Sequence, residues 1–294
     1  MRKTLDILGI KVDTFTAVQA LDYIAGLAMD GKNHYIVTPN PEFIMQSLSD
    51  TEFRAIVNAA DLALPDGVGI LWAAKYLSLP LVKSRPLAWL QAYWQWWCIG
   101  VRIVIQPKAL TDVIPERVTG ADMVWEMSKL ASERGWSIFL LGAAPGIAEE
   151  AGKCLQWLYP NLRIAGITSG PPYEGEEQVI QHIKETQPKF IFLAFTAPKQ
   201  LHWMKTYAES LDGATMIGIG GALDFIAGGV AINAPEGETK PAKRAPVWLQ
   251  KRGLEWLWRY LTQPWRRARI KTATIDFMEK VVEFKLVNLL DNNR

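Results

Sequence analysis

The chain has 294 residues, 49% hydrophobic and 21% charged, which excludes an intrinsically disordered chain and allows one large domain or two small ones. Its two cysteines, Cys98 and Cys154, exclude a disulfide framework and fit a reducing compartment. The net charge of +2 conceals an asymmetry: residues 240–271 hold ten basic side chains against the single acid Glu255, so this stretch carries +9 and the remainder −7. A basic patch of that size attracts phosphates, whether of nucleic acid, lipid headgroups or a diphosphate substrate.

In chain order, the opening "MRKTLDILGIKVDTFT" lacks a long apolar core, so no signal peptide is expected. "HYIVTPNPEF" predicts a strand, then Asn40 as N-cap and Pro41 at the first helical position. "AADLALPDGVGI" predicts the next strand and a turn, and "WSIFLLGAAPGIAEEAGKCLQWL" a strand, a glycine turn and an amphipathic helix. "LRIAGITSGPPY" is a short strand, "PKFIFLAFTAPKQLHWM" a strand turning into a helix, and "TMIGIGGALDFIAGG" a strand, a Gly-Gly turn and a helix. Strands alternating with helices predict an α/β fold: a mainly parallel, Rossmann-like sheet flanked by helices.

Polar and glycine residues recur just after these strands: Thr38 and Asn40, Asp66, Gly142, Lys199 and Gln200, Gly220 and Gly221. All would line the carboxyl edge of the sheet, where ligands bind in open α/β folds. Three histidines, His34, His182 and His202, lack metal-ligand spacing and read as surface or core residues.

Two segments break the alternation. Residues 80–115 contain "PLAWLQAYWQWWCIGVRIVI", in which Trp89, Tyr93, Trp96, Trp97 and Gly100 recur at helical spacing on one side. Gln91, Gln95 and Arg102 interrupt the run and argue against a transmembrane span. A core helix and an interfacial helix with tryptophans at headgroup level both remain open. The second segment, "VWLQKRGLEWLWRYLTQPWRRARIK", mixes Trp, Leu and Arg, as in cationic amphipathic helices that lie on membranes or grip polyanions. A basic helix packed on its own domain is the alternative.

"FLLGAAPGIAEE" has the strand, glycine turn and helix of a phosphate cradle, with Gly142 and Gly146 letting backbone amides approach. It is neither a dinucleotide fingerprint nor a P-loop. Asp-x-Asp is absent, so arginines or helix termini would have to neutralise a leaving diphosphate; Arg117 and the arginine-rich tail are the candidates. No G-x-S-x-G elbow supports serine hydrolase chemistry.

Seven collinear stretches carry a resemblance: "TPNPEF" (38–43), "ADLALPDGVGILWA" (60–73), "ERVTGADM" (116–123), "FLLGAAPGIAEE" (139–150), "APKQLHW" (197–203), "GIGGALDFIAG" (218–228) and "RAPVWLQKRGLEWLWRYLTQPWRRARI" (244–270). Over about residues 5–270 the chain resembles the WecG/TagA/CpsF glycosyltransferase family. The resemblance implies inverting, metal-independent transfer of a hexose or N-acetylhexosamine, such as N-acetylmannosamine, from a UDP-sugar. The implied acceptor is a sugar linked to undecaprenyl diphosphate, in cell-surface polysaccharide assembly. It implies no cofactor, no metal and no nucleic-acid partner. It also implies a cytoplasmic protein held peripherally on the anionic inner face of the cell membrane.

On the same grounds Asp66 is the general base, Thr38 and Asn40 border the cleft, and Arg117 contacts the donor's diphosphate. Gln200 lies near the nucleotide-sugar. Arg259, Arg266 and Arg269 resemble an appendage that closes over the site and binds membrane. Asp66 also reads as a turn residue of Pro-Asp-Gly, and Asn40 as a helix cap. The expected division is a core over 1–243, with a Trp-rich insertion at 80–115, and a basic helical appendage over 244–294. Leu201 stands where the family has Glu, and "INAPEGETKP" (232–241) interrupts the join between "DFIAG" and "RAP". An exposed aromatic tail could also pair two copies into a homo-oligomer. A nucleotide-dependent oxidoreductase and a non-catalytic polyanion- or membrane-binding protein are the rival readings.

Overall fold

The computed structural model describes residues 2–169, 176–228, 245–246, 248–249 and 252–291. The elements are β1 (Thr4–Ile7), β2 (Ile10–Asp13), α1 (Ala17–Leu27), β3 (His34–Val37), α2 (Pro41–Ser49), α3 (Thr51–Asn58), β4 (Leu62–Ala63), α4 (Val68–Ser78), α5 (Arg85–Ile105), α6 (Gly120–Arg134), β5 (Ser137–Gly142) and α7 (Ile147–Leu158). They continue with β6 (Arg163–Thr168), α8 (Glu176–Thr186), β7 (Phe190–Ala194), α9 (Ala197–Tyr207), β8 (Thr215–Gly218), α10 (Ala222–Ile226), α11 (Glu255–Thr262), α12 (Arg267–Lys271) and α13 (Phe277–Asp291), with a π-turn over Thr272–Asp276. The 232–241 interruption and the 243/244 division lie outside the described residues.

Six strands form one sheet in the order β4-β3-β8-β7-β5-β6, every pair parallel. Strands covered on both faces read as continuous apolar runs. Accordingly "HYIV", "FIFLA" and "TMIG" are buried at every position. One face carries α1, α6, α7 and α10, whose Ile24, Val124, Met127, Ala148 and Leu223 meet Leu140 and Phe192 of the sheet. The other carries α2, α3, α4, α9 and α13, packed through Phe53, Trp72, Tyr76, Leu201 and Phe277. The expected α/β architecture is therefore the observed one.

Local chemistry sets the helix starts. Thr16 and Gln19 close a capping box on α1, Asn40 caps α2 ahead of Pro41, Asp50 caps α3 and Thr119 caps α6. The N-terminal hairpin β1–β2 is antiparallel and turns through Leu8 and Gly9, both at positive φ. It is tied to the sheet by Asp13, fully buried, which accepts from Arg2 at 2.6 and 2.9 Å and from the Ala63 amide at 2.8 Å.

The last helix packs inward. Phe277 and Val281 of α13 are fully buried against α2, α4 and α5, and Lys285 donates to the Tyr76 carbonyl and to Gln95 Oε1. No helix among the described residues is long and apolar enough to cross a membrane.

Candidate active site

Because every strand runs the same way, the turns after β3, β4, β5, β7 and β8 share one edge. The chain works outward from β3 to β4 on one side and from β5 to β6 on the other, and such reversals open a ligand crevice at the carboxyl edge.

Three hydrogen bonds knit the turns on the β3–β4 side. The Asp66 amide donates to the Pro39 carbonyl at 3.0 Å, the Val118 amide to the Pro65 carbonyl at 3.0 Å, and Thr38 Oγ1 to the Gly218 carbonyl at 3.1 Å. Thus "TPNP", "LPDG", "ERVTG" and "GIGG", far apart in the chain, converge. The approach is close enough that Gly67 sits at φ +98° and a Cβ on Gly69 would stand 2.7 Å from the Pro41 ring. The two glycines of "PDGVG" are what let the Asp66 turn lie against the start of α2.

Asp66 keeps partial solvent access at this edge. Burial raises its carboxyl pKa to about 6; Arg117 and Arg259 pull it back down, while Glu255 and Asp122 push it further up. The two arginines stand 142 positions apart in the chain. Arg117 precedes α6, and Arg259 belongs to α11, where it pairs with Glu255 at 2.5 Å and covers the Phe225 ring at 5.1 Å. A carboxylate with a pKa near 6 is ionised at neutral pH yet is a stronger base than an ordinary one.

The remaining expected residues take distinct places. Asn40 spends Oδ1 on the Phe43 amide at 3.1 Å, so the capping alternative is realised and the Nδ2 side is what it can offer a ligand. Thr38 is buried at the β3–β8 join. Gln200 is also buried: its Oε1 accepts from the Gly220 amide at 3.1 Å, and a Cβ on Gly218 would strike its Nε2 at 2.1 Å. It therefore shapes the Gly220–Gly221 turn from beneath. Gly142, at φ +104°, lies so close to the Phe195 ring and the Ala194 carbonyl that a Cβ would meet them at 2.6–2.8 Å. The neighbouring Ala143 amide is committed to that carbonyl at 3.0 Å. Leu201 is fully buried in α9, so the departure from Glu there has an apolar partner surface. His34 is held between Asp30 and Asp61, each at 3.0 Å, a structural role.

The strap formed by α11, the turn Pro264–Arg266 and α12 lies along the same edge. Arg269 makes a bidentate pair with Glu42 in the first turn of α2, at 2.7 and 3.0 Å, pinning the strap beside Asn40. Arg266 is set deeper; burial first, then Arg259 and Arg269, push its pKa down to about 10. It faces Asp224, a residue the sequence reading did not single out. Burial raises the Asp224 carboxyl to about 7, with Arg266 opposing. Neither Asp224 oxygen, nor Arg266 Nε, nor Gln263 Oε1 has a hydrogen-bond partner among the described residues. Buried polar groups left in this state are unfavourable alone and call for a polar partner, water or ligand. Among the described residues no three His, Cys, Asp or Glu side chains gather to hold a metal ion.

The chain matches the glycosyl transferase WecG/TagA/CpsF family over residues 5–95 and 87–288. It is also similar to the N-acetylglucosaminyldiphosphoundecaprenol N-acetyl-beta-D-mannosaminyltransferases of Staphylococcus aureus strain NCTC 8325 / PS 47 and strain COL. Each is 28% identical over 283 residues, spanning 96% of this chain and 93% of the relative.

Proposed function

The chain belongs to the WecG/TagA/CpsF glycosyltransferase family, and from that premise we propose that it moves a hexose or N-acetylhexosamine from a UDP-sugar, with inversion, to a polyprenyl-diphosphate-linked acceptor. The relatives' names, which specify an N-acetylmannosaminyl group and a diphosphoundecaprenol-linked sugar, support this donor sugar and acceptor class. Such a reaction belongs to cell-surface polysaccharide assembly, with the protein seated on the anionic inner face of the membrane. Exposed Trp248, Trp256, Tyr260 and Leu261 beside the strap's arginines support that seating.

The observation that carries the reading is the Asp66 carboxyl at the sheet's carboxyl edge, its pKa raised by burial and drawn back down by the charges of Arg117 and Arg259. In an inverting displacement the acceptor oxygen attacks the anomeric carbon while the bond to UDP breaks on the opposite face. Asp66 takes the hydroxyl proton, and no covalent intermediate forms. Arg117, Arg259 and Arg266 meet the negative charge that grows on the departing diphosphate, the task a divalent cation performs in other transferases.

The test is UDP release from UDP-N-acetylhexosamines with and without a synthetic lipid-diphosphate-sugar, with the new linkage determined by NMR. Acceptor-dependent release and an inverted anomeric centre are expected; no release from any donor, or a retained centre, would overturn the proposal. Turnover is expected to persist in EDTA, whereas complete loss restored by magnesium or manganese would contradict charge neutralisation by arginine.

The pH dependence has a definite sign. Asp66 must be ionised to accept a proton, and its pKa is raised to about 6. kcat/KM is therefore expected to be flat above about 7 and to fall with unit slope as the pH drops below about 6. A limb that stays flat down to pH 5 would remove Asp66 from the proton transfer.

A further inference from the structure

Helix α5 is divided lengthwise. Ala88, Ala92, Ile99 and Ile103 point inward and are buried, whereas Leu90, Tyr93, Trp94 and Trp97 on the outer side and Trp89 and Trp96 on its flank are exposed, Leu90 by 70% and Trp94 by 66%. Contiguous apolar surface of this extent marks an interaction site.

We propose that α5 is a membrane-docking helix, lying in the plane of an anionic bilayer with its tryptophan face at headgroup depth. The proposal deepens the reading above by naming a second, apolar contact with the membrane, distinct from the basic strap.

Four observations carry it. The face is built from Trp and Tyr, whose rings combine apolar bulk with a polar edge and suit the bilayer interface. No Asp or Glu occurs from Gly67 to Thr111, while Lys83, Arg85 and Arg102 are exposed, so the charge is complementary to acidic lipid. The glutamines that interrupt the apolar run are used on the protein side. Gln91 Oε1 accepts from the Val82 amide at 2.8 Å, and Gln95 bonds both the Pro80 carbonyl at 2.9 Å and Lys285 at 2.8 Å. The helix is thus clamped by its polar residues, and its outward face is left apolar. Finally, an apolar trough of about 450 Å³ opens beside that face, lined by Trp96, Trp97, Gly100, Val101, Ile105 and Met278. It offers a place for a lipid chain end.

Pairing with a second copy fits less well. A two-fold contact sets the same patch against itself, and no acid on the segment is there to meet Lys83 and Arg85, the cations at the start of the helix, across it.

The experiment is vesicle co-sedimentation of the full chain with phosphatidylcholine, with and without phosphatidylglycerol, at low and high salt. Wild type is expected to bind phosphatidylglycerol vesicles and to keep measurable binding to pure phosphatidylcholine at high salt, where the strap's basic side chains are screened and only apolar contacts, those of α5 and of the strap's own aromatics, remain. The triple substitution Trp89→Ser, Trp94→Ser, Trp97→Ser is expected to weaken partitioning on the order of 100-fold. Its circular dichroism and Tm should match wild type, since these side chains support no core. Should the triple variant misfold, Trp94→Ser alone is expected to weaken partitioning by roughly tenfold. Transfer to a short-chain, water-soluble acceptor should be unaffected, so a failed docking helix and a failed catalytic assignment give different results. Unchanged vesicle binding by the folded triple variant would overturn the proposal. So would a lipid-free wild-type dimer, seen by sedimentation velocity, that the triple variant converts to monomer without loss of vesicle binding.

Discussion

Asp66→Asn is expected to lower kcat by ~10²–10⁴-fold, the worth of general-base assistance, and to leave a folded protein. The amide is nearly isosteric, and the Pro39 contact uses the Asp66 backbone, which the substitution retains. Folding should not suffer, because a carboxyl whose pKa burial has raised gains no stability from being charged at neutral pH. The loss therefore belongs to the proton transfer. Single-turnover transfer with saturating donor and acceptor would isolate it, and the low-pH limb near 6 should vanish with the carboxyl. A variant turning over within a few-fold of wild type would leave Asp66 with only its place in the turn.

Arg259→Ala should cost ~10²–10³-fold in kcat/KM, the scale seen when one preorganised donor is removed from developing charge. It has a second signature. Arg259 holds the Asp66 pKa down, while Glu255, its partner at 2.5 Å, pushes it up. Without the guanidinium the repulsion from Glu255 is opposed by Arg117 alone, so the acid limb of the pH–rate profile should move above 6. Loss of activity with an unmoved limb would place Arg259 in diphosphate binding alone. Arg259→Lys should restore the limb more fully than the rate, since a point charge replaces a two-pronged donor.

Deleting the whole segment after Pro246 is a poor substitute for these point changes. Phe277, Val281, Val282 and Leu286 are buried against the core. At ~1.5–3 kcal/mol for each large apolar side chain, removing them would take away an amount comparable to the ~5–15 kcal/mol stability of a typical domain. The strap falls within the basic stretch and lies at the site, whereas α13 follows that stretch and packs into the core.

This shows where the sequence was readable. Runs such as "FIFLA" announce a doubly covered parallel strand because they are short, apolar throughout, rich in aromatic and β-branched residues and bounded by turn signals, and Asn40-Pro41 announces a helix start by its own chemistry. Asp66 stood out as a carboxylate after an apolar run. The β1–β2 hairpin was silent, since it turns on Leu8-Gly9 and lacks the usual Asn-Gly or Asp-Gly signal. Asp224 was hidden in "GALDFIAG", where one acid in an apolar helix has no local feature to mark it; its meaning comes from Arg266, forty-two positions on. Gln200 reads from the sequence as a residue near the nucleotide-sugar, and only the structure adds its bond to the Gly220 amide beneath the turn. Arg269 looked available until Glu42, 227 residues away, was found against it. Pairings of this kind are long-range, and no periodicity encodes them. For α5, helical spacing gave the aromatic side, but only the packing shows that it faces outward.

The most direct measurement is the structure of the chain bound to UDP and an acceptor analogue. An Asp66 oxygen should lie about 2.6–3.2 Å from the acceptor hydroxyl, with the diphosphate against Arg117 and Arg259. An acceptor hydroxyl presented to a different side chain, with Asp66 beyond reach even through one water, would contradict the account.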